Sequence, residues 1–234
     1  MSRCTIVAEL ATTHGGDLDI AKDLISAAAD AGADFAKVQS YSLSKLNPRD
    51  PQRDWLRQAH LDKVAHARLM DYASGKGLRF LSTPFDSESL QMLRDLGLKT
   101  FKIASSESGH TWWQPQPGET WYVSFPWGNR EPKFPHKHIG LTAIPLYPTP
   151  LEAVGKATLL EGWSDHGVGL DACLWALGRG IEVLEAHLTL GNGRGRQMPF
   201  DKTPAQMARL REFADNMGTL TTGVATHFRE RWSA

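Results

Sequence analysis

The chain has 234 residues, 41% of them apolar and 22% charged, with 26 basic and 26 acidic side chains and a formal net charge of zero. That apolar content is enough for a buried core, and a neutral chain lacks the cationic excess with which proteins hold nucleic acid or an anionic membrane surface. No stretch is apolar for long enough to span a bilayer, and the apolar run in the opening "MSRCTIVAELATTHGG" is too short for a signal peptide, so a cytoplasmic protein is expected. Cys4 and Cys173 lie inside apolar segments and read as reduced core thiols.

Apolar, β-branched runs recur along the chain. "CTIVAEL" is the first predicted strand, followed by a helix in "DIAKDLISAAADAGAD" that has an acidic first turn and stops at Gly32. "DFAKVQS" and "LRFLSTPF" read as the second and third strands, and "ESLQMLRDLGLK" as a helix stopped at Gly97. "TFKIASS", "TWYVSFP", "HIGLTAIPLY" and "EGWSDH" supply strands four to seven. After the helix "LDACLWALGRG" comes an eighth strand, "IEVLEAHLTL", and then a last helix in "TPAQMARLREFADNMG" with Pro204 in its first turn. Continuous apolar runs, rather than alternating ones, belong to a parallel sheet covered on both faces. The alternation predicts an α/β fold: one (β/α)8 TIM-barrel domain over residues 1–234. Residues 106–138 hold too much Pro and Gly for the helices due after strands four and five, so the outer helix ring is expected to be incomplete there. Loops, Trp112 and Trp113, or a second chain (a homodimer mate or another partner) would cover that flank.

In such barrels the chemistry sits at the C-terminal ends of the strands. Nearly every predicted strand here ends in a functional group. Strand one carries Glu9 and leads to His14; strand two has Lys37 and Gln39, on one face because they are two apart. Strand three ends in Ser82 and Thr83, and strand four bears Lys102, Ser105 and Glu107. Ser124, Tyr147 and the trio Ser164, Asp165, His166 follow on strands five to seven, with Glu185 and His187 on strand eight. A full ring of this kind is a candidate active site.

His166 and His187 end neighbouring strands, so their imidazoles can converge on one divalent cation completed by water and substrate oxygens. Two imidazoles with oxygen ligands suit Mn²⁺ better than Mg²⁺. Asp165 either orients an imidazole or caps the following helix. Lys37 and Lys102 lie inside apolar strands, where an unpaired ammonium is costly. They form either a buried salt bridge to Glu9 or Glu107, or an anion site built from Lys102 with the hydroxyls of Ser105, Ser124 and Ser164, phosphate being the obvious anion. His14 reads equally as a substrate contact and as a satisfied loop histidine. The Gly-rich "GNGRGRQ" after strand eight is expected to form a loop over the mouth, with Arg194 or Arg196 reaching the substrate.

From about residue 4 to 215, the chain resembles the catalytic barrel of the sialic acid synthases. The resemblance rests on "VAELATTHGG", "AGADFAKVQ", "FLSTPFDSESLQMLRDLG", "FKIASSE", "LTAIPLYPTP", "WSDHGVG" and "LEAHLTL", in that order. It implies metal ligands at His166 and His187 and phosphoenolpyruvate contacts at Lys37, Lys102, Ser105, Ser124, Tyr147 and Ser164. Glu9, Gln39 and Glu107 match positions lining the sugar or the attacked carbon, and Asp201 matches an acidic sugar contact. Departures accompany these matches. Ala11 and Thr13 stand where the family has Gly and Asn, "SFPW" keeps only Ser124 of the strand-five motif, and Pro145 replaces an Asn. The chain ends soon after its last helix, so a barrel without the family's C-terminal antifreeze-like domain is expected.

The resemblance implies condensation of phosphoenolpyruvate with an N-acyl hexosamine-type aldose to a sialic-acid-like acid and phosphate, with Mn²⁺ or Mg²⁺ as cofactor. Glu107 would place the attacking water. Two other readings share the barrel: a metal-dependent aldolase or lyase acting on pyruvate, and a non-catalytic sugar-phosphate binder.

Overall fold

In the computed structural model, which describes residues 3–128 and 137–231 and the side chains among them up to residue 220, parallel strands close into a barrel in chain order. They are β1 (Thr5–Ala11), β2 (Phe35–Ser40), β3 (Arg79–Pro84), β4 (Thr100–Ile103), β5 (Thr120–Pro126), β6 (Ile139–Ala143), β7 (Gly162–Asp165) and β8 (Val183–His187). Outside lie α1 (Leu18–Asp30), α2 (Arg53–Gln58), α3 (Lys63–Gly75), α4 (Ser87–Asp95), α5 (Leu151–Val154), α6 (Asp171–Leu177) and α7 (Pro204–Arg231).

Successive strand residues point to opposite faces, and the apolar core divides accordingly. Ile6, Ala8, Leu10, Ala36, Val38, Phe101, Trp163 and Leu184 face outward and pack with Leu24, Leu69, Leu93 and Leu210 of the helices. Val7, Phe35, Leu81, Tyr122, Leu141 and Val183 point inward and close the barrel interior as an apolar plug. Two residues further along β1, β2, β5 and β8, the same inward face becomes Glu9, Lys37, Ser124 and Glu185. A polar layer therefore sits directly on an apolar floor.

Local signals set the helix ends. Asp17 accepts from the Asp19 and Ile20 N–H groups to cap α1, and Asp86 caps α4 from Ser89. Gly32 takes the left-handed conformation (φ 76°) just past α1, where a side chain would meet Arg211.

The expected gap in the helix ring is present between β4 and β5, which are joined without a helix. Trp113 stacks on Trp121 there (5.4 Å, 27°), and Phe101 packs on Trp121 at 4.9 Å. Arg94 of α4 grips the Glu119 carboxylate at 2.8 Å, tying the loop to its neighbour. Part of the β5–β6 connection, residues 129–136, lies outside the described residues. The ring thins further than expected, because α5 is a single turn. The sequence pattern also missed α2 and α3. The buried face of α3 is Ala65, His66, Leu69 and Ala73, two alanines and a histidine with one large apolar side chain, so its stripe is faint. At the other extreme, α7 runs straight through Gly218, where a stop was expected.

Candidate active site at the barrel mouth

The polar layer is a network of buried charges. Lys37 forms an ion pair with Glu9, its neighbour across the β1–β2 ladder, and its Nζ lies 3.5 Å from Glu185 Oε2. Lys102 Nζ is 3.6 Å from Glu185 Oε1 and donates to Ser124 Oγ (2.7 Å) and the Ile103 carbonyl (3.1 Å). Ser164 Oγ donates to Glu185 Oε1 at 2.9 Å. Glu9 is fixed from behind by the Ala11 N–H, which donates to Oε1 at 2.6 Å. Charges this deep persist only when paired. Burial pushes the Glu185 carboxyl up, but Lys102, Lys37 and the Ser164 hydroxyl outweigh it and hold the group down at about 2. Burial lowers Lys37 to about 8, partly opposed by Glu185, and lowers Lys102 against the same carboxylate.

At the rim of this layer stand two imidazoles. His187 ends β8 and His166 follows β7; their ring centroids are 5.2 Å apart. Phe200 packs edge-on against both, at 5.6 and 4.9 Å, and Tyr147 covers His166 at 4.3 Å. His166 Nδ1 is buried with no hydrogen-bond partner, and so is Asp201 Oδ1, which lies 3.8 Å from His187 Nδ1. Burial lowers His166 to about 4; burial, and then His166, hold His187 well below the usual range. Both rings are therefore neutral at physiological pH and offer lone pairs. Paired neutral imidazoles with an unanswered buried nitrogen fit a divalent cation. Among the described residues no third His, Cys, Asp or Glu closes around them, so water or substrate oxygens would complete the shell.

The network and the imidazoles open onto one cavity of about 220 Å³. Its walls include Glu9, Lys37, Gln39, Thr83, Phe85, Lys102, Ser105, Ser124, Tyr147, Ser164, His166, Glu185 and His187. A second hollow of about 210 Å³ continues past Gln39, Tyr147 and His187 to Gln52, Arg196 and Asp201. A third, of about 330 Å³, lies beyond Gln39 and Phe85 toward Tyr41, Asp50 and Glu107.

Most of the expected ring is thus brought together, with specific corrections. Glu107 does not face the lysines. β4 ends at Ile103, the chain turns back through a Glu107 N–H to Ala104 bond, and the carboxylate is held by His110 (2.8 Å) and Trp112 (3.1 Å). The lysines instead pair with Glu9 and Glu185. Asp165 makes no hydrogen bond to His166 Nδ1 and does not cap α6; it accepts from Trp163 Nε1 (2.9 Å) and pairs with Lys202 (2.8 Å). His14 is buried, and its Nδ1 accepts from the Gly16 N–H within its own loop. Asp201 sits beside His187, toward the second hollow. Arg194 turns outward to Asp23 of α1, whereas Arg196 lines the second hollow, held by Gln52 Oε1 at 3.0 Å and lying over the Trp55 ring. The sequence reading gave Glu185 no role although it sat in the ring, and it missed Phe85, Phe200 and Lys202. For Lys202 nothing in the pattern distinguishes a buried lysine from a surface one.

The sequence profile of the NeuB family matches residues 24–112 and 140–224, on either side of the helix-poor flank. An N,N'-diacetyllegionaminic acid synthase of Campylobacter jejuni is 41% identical over 122 residues, which are 46% of this chain and 36% of that protein. Human N-acetylneuraminate-9-phosphate synthase is 24% identical over 244 residues, covering 88% of this chain and 68% of the human one. Among solved structures, the N-acetylneuraminic acid synthetase of Leptospira borgpetersenii superposes with a TM-score of 0.81 at 24% identity, covering 94% of this chain and 85% of that one. At that identity the likeness speaks for the fold. The match to the Campylobacter synthase spans little more than a third of that protein's length.

Proposed function

The chain belongs to the NeuB family, and from that premise we propose that it joins phosphoenolpyruvate to an N-acyl hexosamine-type aldose, forming a sialic-acid-like nonulosonic acid and phosphate. The names of the Campylobacter legionaminic acid synthase and the human N-acetylneuraminate-9-phosphate synthase support the reaction type. The observation that carries the reading is one cavity in which two buried ammoniums, the Ser124 and Ser164 hydroxyls and two neutral imidazoles meet.

Lys37 and Lys102 hold the carboxylate and phosphate of the enol substrate. Until an anion arrives, Glu9 and Glu185 balance their charge. His166 and His187 would hold Mn²⁺ or Mg²⁺, which supplies Lewis-acid polarisation of the sugar's aldehyde oxygen when bound. The enol C3 forms a bond to the aldehyde carbon, whose oxygen becomes an alkoxide, and positive charge develops at C2. Water adds at C2 and loses a proton, which is passed on to the alkoxide; the C2–O bond to phosphate then breaks, and the C2 hydroxyl collapses to the ketone as its proton leaves with the phosphate. Glu185 is committed to two ammoniums and a hydroxyl, which makes it a poor proton acceptor. Glu9, the other carboxylate in the cavity wall, is paired with one ammonium, that of Lys37; once the substrate's anion takes over that ammonium, Glu9 accepts the proton in this scheme. The acceptor sugar extends past Gln39 into the second hollow, toward Asp201 and Arg196. No helix among the described residues is long and apolar enough to cross a membrane.

The test is a phosphate-release assay with Mn²⁺, phosphoenolpyruvate and a panel of N-acyl hexosamines, with product mass as the second readout. Stoichiometric phosphate and a condensed acid are expected. Product from pyruvate without phosphate release would mark an aldolase instead, and no turnover across the panel would leave only a binding role.

A further inference from the structure

Lys202 is fully buried, yet it lies outside the cavity of the polar layer. Its three ammonium protons are matched by three acceptors: Asp165 Oδ2 (2.8 Å), the Gly167 carbonyl (2.6 Å) and the Phe200 carbonyl (2.9 Å). The first two flank His166 in the chain, one on each side. The third anchors Phe200, whose ring packs on both His166 and His187. The Lys202 backbone N–H donates to the carbonyl of His187 itself at 2.8 Å. One residue thus ties the end of β7 to the end of β8 at the two places from which the imidazoles project.

We propose that Lys202 is the positioning residue that sets the separation and orientation of the His166 and His187 rings for a divalent cation. The inference rests on the reading above that these histidines hold the cation. A buried ammonium is a demanding way to join two loops, since an apolar side chain would pack there at less desolvation cost. What the ammonium adds is direction: it fixes the Asp165 carboxylate before His166 and the Gly167 carbonyl after it relative to β8. Loss of such support around a metal ligand typically weakens metal binding by about 10- to 100-fold.

Calorimetry with Mn²⁺ alone tests this, on the parent, Lys202→Met, and the double variant Lys202→Met/Asp165→Asn. The single variant strands a buried carboxylate and can lose its fold. The double variant removes both charges, while the amide oxygen introduced by Asp165→Asn still accepts from Trp163 Nε1. The expected result is a double variant whose thermal midpoint is close to the parent's but whose Mn²⁺ affinity is about 10- to 100-fold weaker, with an altered electron paramagnetic resonance spectrum of the bound ion. Parent-like Mn²⁺ affinity in the double variant overturns the role of Lys202 and leaves the cation site standing. A parent that binds no Mn²⁺, or a His187→Ala variant that binds it unchanged, overturns the cation site and the role of Lys202 with it.

Discussion

Lys102 on β4 reaches across the barrel to Glu185 on β8, the strand diametrically opposite, with Nζ 3.6 Å from Oε1. Glu185 also faces Lys37 of β2 at 3.5 Å, so one carboxylate joins three strands through the barrel's centre. Its removal leaves two buried ammoniums short of an anion. Glu185→Ala is expected to cost about 3–5 kcal/mol of stability, read as a fall in the urea midpoint. A loss under about 1 kcal/mol would mean that water reaches the lysines freely and the network carries little.

Burial lowers the His14 imidazole to about 4. In the unfolded chain a histidine titrates near 6.5. Between these values the unfolded chain holds a proton that the folded one refuses, so stability is flat above about 6.5 and falls as the pH drops toward 4. His66, His166 and His187 are lowered too and act in the same sense. His14→Gln is expected to reduce the acid slope of the unfolding free energy by close to one proton in that window. An unchanged slope would show that His14 is protonated in the folded state.

The barrel, its gap and most of its mouth were readable because they depend on periodicity and order. Lys37 and Gln39 share a face by spacing alone, and His166 and His187 end consecutive strands. What stayed hidden depends on distance across the barrel or on loop paths. That Glu185 answers Lys102 requires knowing that β8 stands opposite β4. That Glu107 turns away from the lysines depends on β4 ending at Ile103 and on Trp112 and His110 capturing the carboxylate. Asp165 ends β7, and Lys202 is close to it only because the segment after β8 folds back beside it, which no local pattern encodes.

Ala11, which stands where the resembled family has glycine, is the one non-glycine residue with positive φ (45°) among those described. It sits at an irregularity in the β1–β2 register, and its N–H holds Glu9. The left-handed region costs an L-residue about 1–2 kcal/mol. Ala11→Gly removes that strain but adds about 0.4–1 kcal/mol of freedom to the unfolded chain. The expected net gain is roughly 0.5–1 kcal/mol, seen as a higher urea midpoint. Ala11→Val is expected to lose stability by about 1–3 kcal/mol. If the glycine variant is the less stable of the two, the strain account is wrong.

Arg194 and Arg196 are two apart but have different surroundings. Arg196 faces the second hollow with His187 and Asp201, and Arg194 is spent on Asp23. With the acceptor identified, Arg196→Ala is expected to lower kcat/KM for that sugar by about 10- to 100-fold through the loss of a charged donor. Arg194→Ala should stay within about twofold. Equal effects of the two changes would mean that the loop acts as a unit rather than through one guanidinium.

The flank without a helix has a consequence for how the molecule comes apart. β2 and β3 pair without interruption from Phe35–Arg79 to Ser40–Pro84, whereas β3 and β4 are in register at a single pair, Ser82 with Phe101. β4 is also backed on its far side by rings rather than by a helix. A closed barrel has no edges until one ladder parts, and this is the ladder with the fewest registered pairs. Amide hydrogen exchange should therefore be faster in β4 than in β1, β2 or β8 under conditions where the whole fold stays intact; uniform protection around the barrel would contradict this. Once parted, the seam presents two raw strand edges to the solution. Self-association in a concentrated sample is then governed by that one hinge, and additions that close it should prolong storage even where they leave the melting temperature unchanged.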